Sequence, residues 1–176
     1  IKLKYNTNLT NVPKHLIWKW SKFKAIQLNC SIDATGELDR YIRYPSNWST
    51  IERNFEEIRK LYNANIEIHC TVQMYNILHM DRLIEWALPY KHKIYFNILN
   101  HPEYLNIRCL PEELKILAQK KLQPYLDLPK VKGVIDYMWA EDWSRKLDAF
   151  KEYTVNLDKS RNQKLTDVVP ELSQWV

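Results

Sequence analysis

The stretch Ala25-Ile26-Gln27-Leu28-Asn29-Cys30-Ser31-Ile32-Asp33-Ala34-Thr35-Gly36-Glu37 decides how this chain is read. Its first half is an apolar run that reads as a buried strand. The run stops in a cluster of small polar groups around one of the chain's two glycines. In α/β proteins, ligands sit where strands end and loops begin. Ser31, Asp33 and Arg43 bring a hydroxyl, a carboxylate and a guanidinium to the end of one strand, a set suited to a polar small molecule. A strand-to-helix turn capped by Asp and Ser accounts for the same residues without a ligand.

Working outward, residues 1–7, 24–31, 66–73 and 93–99 are rich in strand-forming residues, and helical patterns separate them. Residues 13–23 place Leu16, Ile17 and Trp20 on one face, with Pro13 at the start, where helices accept proline. In residues 48–62, Ile51, Phe55, Ile58 and Tyr62 recur at helical spacing, and Ser49 with Glu52 reads as a capping box. Residues 80–88 form a shorter helix ending at Pro89. Strands alternating with helices imply a parallel sheet. The apolar runs suggest strands covered on both faces, either in an open doubly wound sheet or in a barrel or partial barrel. Beyond Leu99 come a polar loop at 100–108, a helix at 111–126, a linker at 129–137 and a last helix from Trp143 to about Arg161.

Composition narrows the function classes. The chain has 176 residues, of which 45% are hydrophobic, enough for a packed core. No apolar run approaches the ~20 residues that span a bilayer. The net charge of +5 is spread among interspersed acidic and basic residues, so nucleic acid is not an expected partner. Cys30, Cys70 and Cys109 have no metal-ligand spacing and no paired pattern, which points to a reducing, cytoplasmic setting. Two glycines are too few for a phosphate-binding loop or dinucleotide fingerprint. No Ser or Cys has nucleophile-elbow context. Asp33 is the only carboxylate at an expected strand end, so a catalytic carboxylate pair has no support. His69 reads as a structural group, and the tryptophans as packing residues. The first residue is Ile1, within a strand, so the natural start is expected upstream. The strand ends gather Asn8, Ser31, Asp33, Asn76 and Asn97, a lining suited to a ribose, an amino-acid zwitterion or a nucleoside.

The order Thr7-Asn8-Leu9, Ser31-Ile32-Asp33, Tyr41-Ile42-Arg43, then Trp48, Asn54, Leu61, Thr71-Val72 and Asn76, resembles the radical S-adenosylmethionine enzymes. Leu110-Pro111-Glu112, Phe150-Lys151-Glu152-Tyr153, Leu157-Asp158-Lys159-Ser160-Arg161 and Val169-Pro170-Glu171-Leu172 resemble the twitch-domain type. The likeness spans nearly the whole chain. Leu9 and Ala34 stand where the family has glycine. The family's Cys-x3-Cys-x2-Cys and Gly-Gly-Glu segments are absent.

The resemblance implies the later strands of a partial (β/α)6 TIM-like barrel with parallel strands over residues 1–109, plus a helical C-terminal extension over 110–176. It implies a full-length enzyme in which a [4Fe–4S] cluster, with ligands outside this chain, reductively cleaves S-adenosylmethionine for hydrogen abstraction from a small-molecule or peptide substrate. An electron donor would serve the cluster, and the chain alone would be inactive. By matching positions, Asn8, Ser31 and Asp33 would line the cofactor side. Ser31 would meet its ribose or methionine part and Arg43 its carboxylate, with Asn76 and Asn97 further along the rim. A surface ion pair with Glu37 or Asp39 is the alternative for Arg43. The extension has no cysteine, so no auxiliary cluster is expected there. The other reading of the chain is a cluster-less, barrel-derived binding or adaptor module.

Overall fold

The computed structural model describes residues 1–90 and 93–176. Strands β1 (Lys2–Thr7), β2 (Ala25–Ser31), β3 (Ala64–Val72) and β4 (Lys93–Ile98) form one all-parallel sheet in the order β1-β2-β3-β4. Each strand lies beside its predecessor in the chain, as βαβ units favour. The connections run through α1 (Lys14–Trp20), then α2 (Gly36–Ile42) and α3 (Trp48–Arg59), then α4 (Met80–Ala87). The α/β alternation is therefore as expected, with one helix more: α2 occupies the stretch between Ser31 and Arg43.

The sheet is not covered alike on its two faces. Register places Leu3, Ile26, Ile66 and Ile94 with Leu28, Cys30, Ile68 and Phe96 on one face, and this face is apolar. Helices pack on it: Trp20 meets Tyr5 at 5.3 Å between ring centroids, and α3 buries Ile51, Phe55 and Ile58. The other face is polar, with Asn6, Gln27, Asn29, Ser31, Glu67, His69 and Thr71 side by side. The expectation of two apolar faces is thus corrected. The strand sequences alternate, Ile-Gln-Leu-Asn-Cys and Ile-Glu-Ile-His-Cys, and a period of two sends every second side chain across the sheet. The polar rows are tolerated because their groups bond one another. Gln27 Nε2 donates to Glu67 Oε2 at 2.7 Å, and Asn29 Nδ2 to Asn6 Oδ1 at 2.8 Å.

Two local expectations also change. Asn47, not Ser49, caps α3: its Oδ1 accepts the Thr50 N–H at 3.1 Å, and Ser49 Oγ donates to the same oxygen at 2.6 Å. The expected linker at 129–137 is mostly helix. After α5 (Glu112–Leu122), α6 (Val131–Trp139) buries Val131, Val134, Ile135 and Met138 along one stripe. The 100–108 loop tightens into two single 3-10 turns, Glu103–Leu105 and Ile107–Cys109. The last long helix, α7 (Leu147–Arg161), is followed by the short α8 (Leu165–Val168). Phe150, Leu165 and Leu172 join the same buried cluster as the sheet residues, so the extension and the sheet share one core.

Candidate functional site at the strand ends

Pairing of Thr7 with Cys30 and of Ser31 with His69 brings the carboxyl ends of β1, β2 and β3 together. Past the end of β1 the chain makes two side-chain-locked turns. Thr7 Oγ1 accepts the Leu9 N–H at 3.0 Å, and Asn8 Oδ1 accepts the Thr10 N–H at 3.2 Å and its hydroxyl at 2.8 Å. Leu9, where the resembling family has glycine, stands at φ 61° with its side chain buried. Asn54 Nδ2 holds its carbonyl at 2.7 Å. Asn8 and Ser31 border a cleft of about 370 Å³ shared with Tyr5, Asn6, Thr7, Thr10 and Asn11.

Past β2, Asp33 is buried but not alone. One carboxylate oxygen accepts the Thr71 N–H at 2.7 Å, and the other accepts from Arg43 Nη2 at 2.8 Å. Arg43 therefore pairs with Asp33 rather than with Glu37 or Asp39. It reaches Asp33 because α2, entered through Gly36 at φ 62°, turns the chain back over the strand end. Asp39 lies in the same cluster, fully buried, and its Oδ2 accepts the Ser46 hydroxyl at 2.8 Å. Burial pushes the Asp39 carboxyl up to about 6, against the pull of Ser46 and Arg43. Burial also raises Asp33, with Arg43 and the Thr71 N–H holding it back. Arg43 Nε and Asp39 Oδ1 are buried without a hydrogen-bond partner among the described residues.

Asn76 is a brace rather than an open contact. Its Nδ2 donates to the carbonyls of Asp33 and Thr71, both at 2.9 Å, and its Oδ1 accepts the Gln73 N–H at 2.8 Å. Asn97 is exposed on β4 beside Thr71. The structure thus pairs Asp33 with Arg43, places Asn8 and Ser31 on one cleft to which neither Asp33 nor Arg43 contributes, and sets Asn76 against the Asp33 carbonyl.

The polar row escaped the sequence reading, although the period-two alternation of β2 and β3 signalled it. Glu67 is its buried carboxylate. His69 lies beside it, with Nε2 at 3.8 Å from Glu67 Oε2 and its ring stacked on Tyr95 at 5.0 Å. The cysteines offer no chemistry of their own: burial pushes the Cys30 thiol up to about 12 and Cys109 to about 11, and raises Cys70 as well. Such thiols stay protonated and inert. Among the described residues, no group of His, Cys, Asp and Glu converges to hold a metal ion. Nor is any described helix long and apolar enough to cross a membrane.

No protein-family model, characterised protein or solved structure matches the chain.

Proposed function

We propose that the chain is the C-terminal part of a radical S-adenosylmethionine enzyme, and that its polar sheet face is the inner wall of a partial (β/α)6 barrel. One observation supports this above the others. A parallel sheet ordinarily buries both faces, yet here one face is polar and leads into the rim of Asn8, Ser31, Asp33 and Arg43. A polar wall is what a barrel interior holding a polar cofactor requires.

The donor set fits S-adenosylmethionine. Ser31 offers a hydroxyl with no side-chain partner among the described residues, and Asn8 an amide group at the cleft. Arg43 retains a buried Nε without an acceptor. Asp33 orients the guanidinium, and Asn76 fixes the backbone that carries Asp33. The residues present do not fit an iron–sulfur cluster, so its ligands are assigned to a segment outside this chain. Once cleaved by an electron from the cluster, the cofactor would supply the radical for hydrogen abstraction; the residues described here would bind and orient it. The substrate, small molecule or peptide, and the electron donor belong to the whole enzyme. The second reading, a cluster-less binding or adaptor module on the same scaffold, draws on the Asp33–Arg43 pair, in which the carboxylate already has its cation without a ligand.

The test is to express the chain with its upstream reading frame, reconstitute it anaerobically, and measure S-adenosylmethionine binding and 5′-deoxyadenosine release under reduction. Binding with release is expected, and Ser31→Ala should weaken binding by about threefold to tenfold, the loss of one hydrogen bond. Binding without release favours the adaptor module. An upstream frame lacking three clustered cysteines overturns the enzyme reading in favour of the cluster-less module; a frame that holds them but gives neither binding nor release overturns the cofactor site.

A further inference from the structure

A second cavity lies away from the strand-end rim. It sits at the open edge of β4, has a volume of about 520 Å³, and takes its walls from Leu88, Ile94, Phe96 and Leu128. Cavities of this size with mostly apolar walls and a few polar groups are typical of small-molecule sites. Two polar groups here are cations, Lys93 and Lys130. Neither makes an ion pair among the described residues. Among the described residues no carboxylate lines the cavity, the nearest by register being Glu67 opposite Lys93 on β3.

Lys130 is also held unusually. Its backbone stands at φ 71°, a left-handed conformation that costs a residue with a Cβ, and its Nζ lies 5.6 Å from the centre of the Tyr95 ring. Strained non-glycine residues persist where surrounding structure enforces them, and they cluster at ligand sites. Immediately after Lys130, α6 begins with no acidic residue in its first turn, so no side chain there offsets the positive end of the helix.

We propose that this cavity binds a small amphipathic anion, an alkyl carboxylate of medium chain length, with the chain among Leu88, Ile94, Phe96 and Leu128 and the carboxylate between Lys93 and Lys130. The apolar walls account for the body of the ligand, and the two unpaired ammonium groups for its charge. This site is independent of the cofactor reading and stands or falls separately.

Decanoate is the probe, titrated into methyl-labelled protein and followed by nuclear magnetic resonance, with decanol as its neutral counterpart. Saturable one-site binding is expected, with contacts from the alkyl chain to the methyl groups of Leu88, Ile94 and Leu128. Lys93→Gln and Lys130→Gln, both surface changes that leave the core intact, should each weaken decanoate by about twofold to fivefold, the range for one exposed charge contact. Decanol should be unaffected by either. Equal affinity for decanol and decanoate overturns the proposal, as does decanoate binding indifferent to both lysine variants. A concentration-dependent dimer that shields the same methyl groups also overturns it, since a second copy would then be the occupant.

Discussion

Leu9 sets two effects against each other at one residue. Its left-handed backbone costs about 1–2 kcal/mol, while removal of a buried leucine side chain costs about 2–5 kcal/mol. Burial wins, so Leu9→Gly should lower stability by about 1–3 kcal/mol in urea unfolding despite relieving the strain. A more stable glycine variant would reverse that ranking. Asp39 makes the pH dependence legible. Its carboxyl is raised from 3.8 to about 6 in the folded state, so the folded chain holds the proton more tightly than the unfolded one. That contribution is fully present below 3.8, falls as pH rises toward about 6, and is gone above it. Asp39→Asn should therefore flatten the stability profile between those limits, and the protein should gain up to about 3 kcal/mol relative to wild type at neutral pH. Denaturation curves at closely spaced pH values check this. Asp33 and Arg43 were both legible in the sequence as polar groups near a strand end, but their pairing was not, because it depends on the path of α2.

At the scale of elements, the distinction between Asn47 and Ser49 as cap of α3 is measurable. Asn47→Ala should cost about 1 kcal/mol and Ser49→Ala close to nothing, because only Asn47 accepts a free backbone N–H of the first turn. Comparable losses in thermal unfolding would restore the capping-box reading. The α6 helix was hidden because Pro129 and Gly133 punctuate its sequence as they would a linker. Its stripe of Val131, Val134, Ile135 and Met138 has helical spacing all the same, and burial of that stripe outweighs the low propensity of glycine. A Cβ at Gly133 meets nothing within 4 Å and the residue has no left-handed backbone. Gly133→Ala should accordingly stabilise the protein by about 0.5–1 kcal/mol, read from the urea midpoint.

For the whole molecule, the helical extension is tied into the site rather than appended to it. Tyr41 in α2 donates to Asp158 Oδ1 of α7 at 2.8 Å, Arg161 Nη1 donates to the Tyr41 carbonyl at 3.0 Å, and the Tyr75 and Thr154 hydroxyls meet at 2.9 Å. Farther along, Glu171 meets His79 at 3.2 Å and Lys121 at 3.1 Å. Asp158→Ala removes the acceptor of both the Tyr41 hydroxyl and the Leu165 N–H and should cost about 1–3 kcal/mol. Hydrogen exchange should then quicken in α2 as well as in α7; a change confined to α7 and α8 would show that the extension is not coupled to the strand ends. The sequence by itself determined the alternation of strands and helices, hence the α/β class, and through the period of two in β2 and β3 it already encoded a sheet with one polar face. Periodicity is a local property, and it reports which side of each element is buried. Only the tertiary structure decided that Arg43 takes Asp33, that Asn76 braces it, and that a helix more than a hundred residues along the chain locks Tyr41, because those partners are chosen by how the elements come together and not by their own patterns.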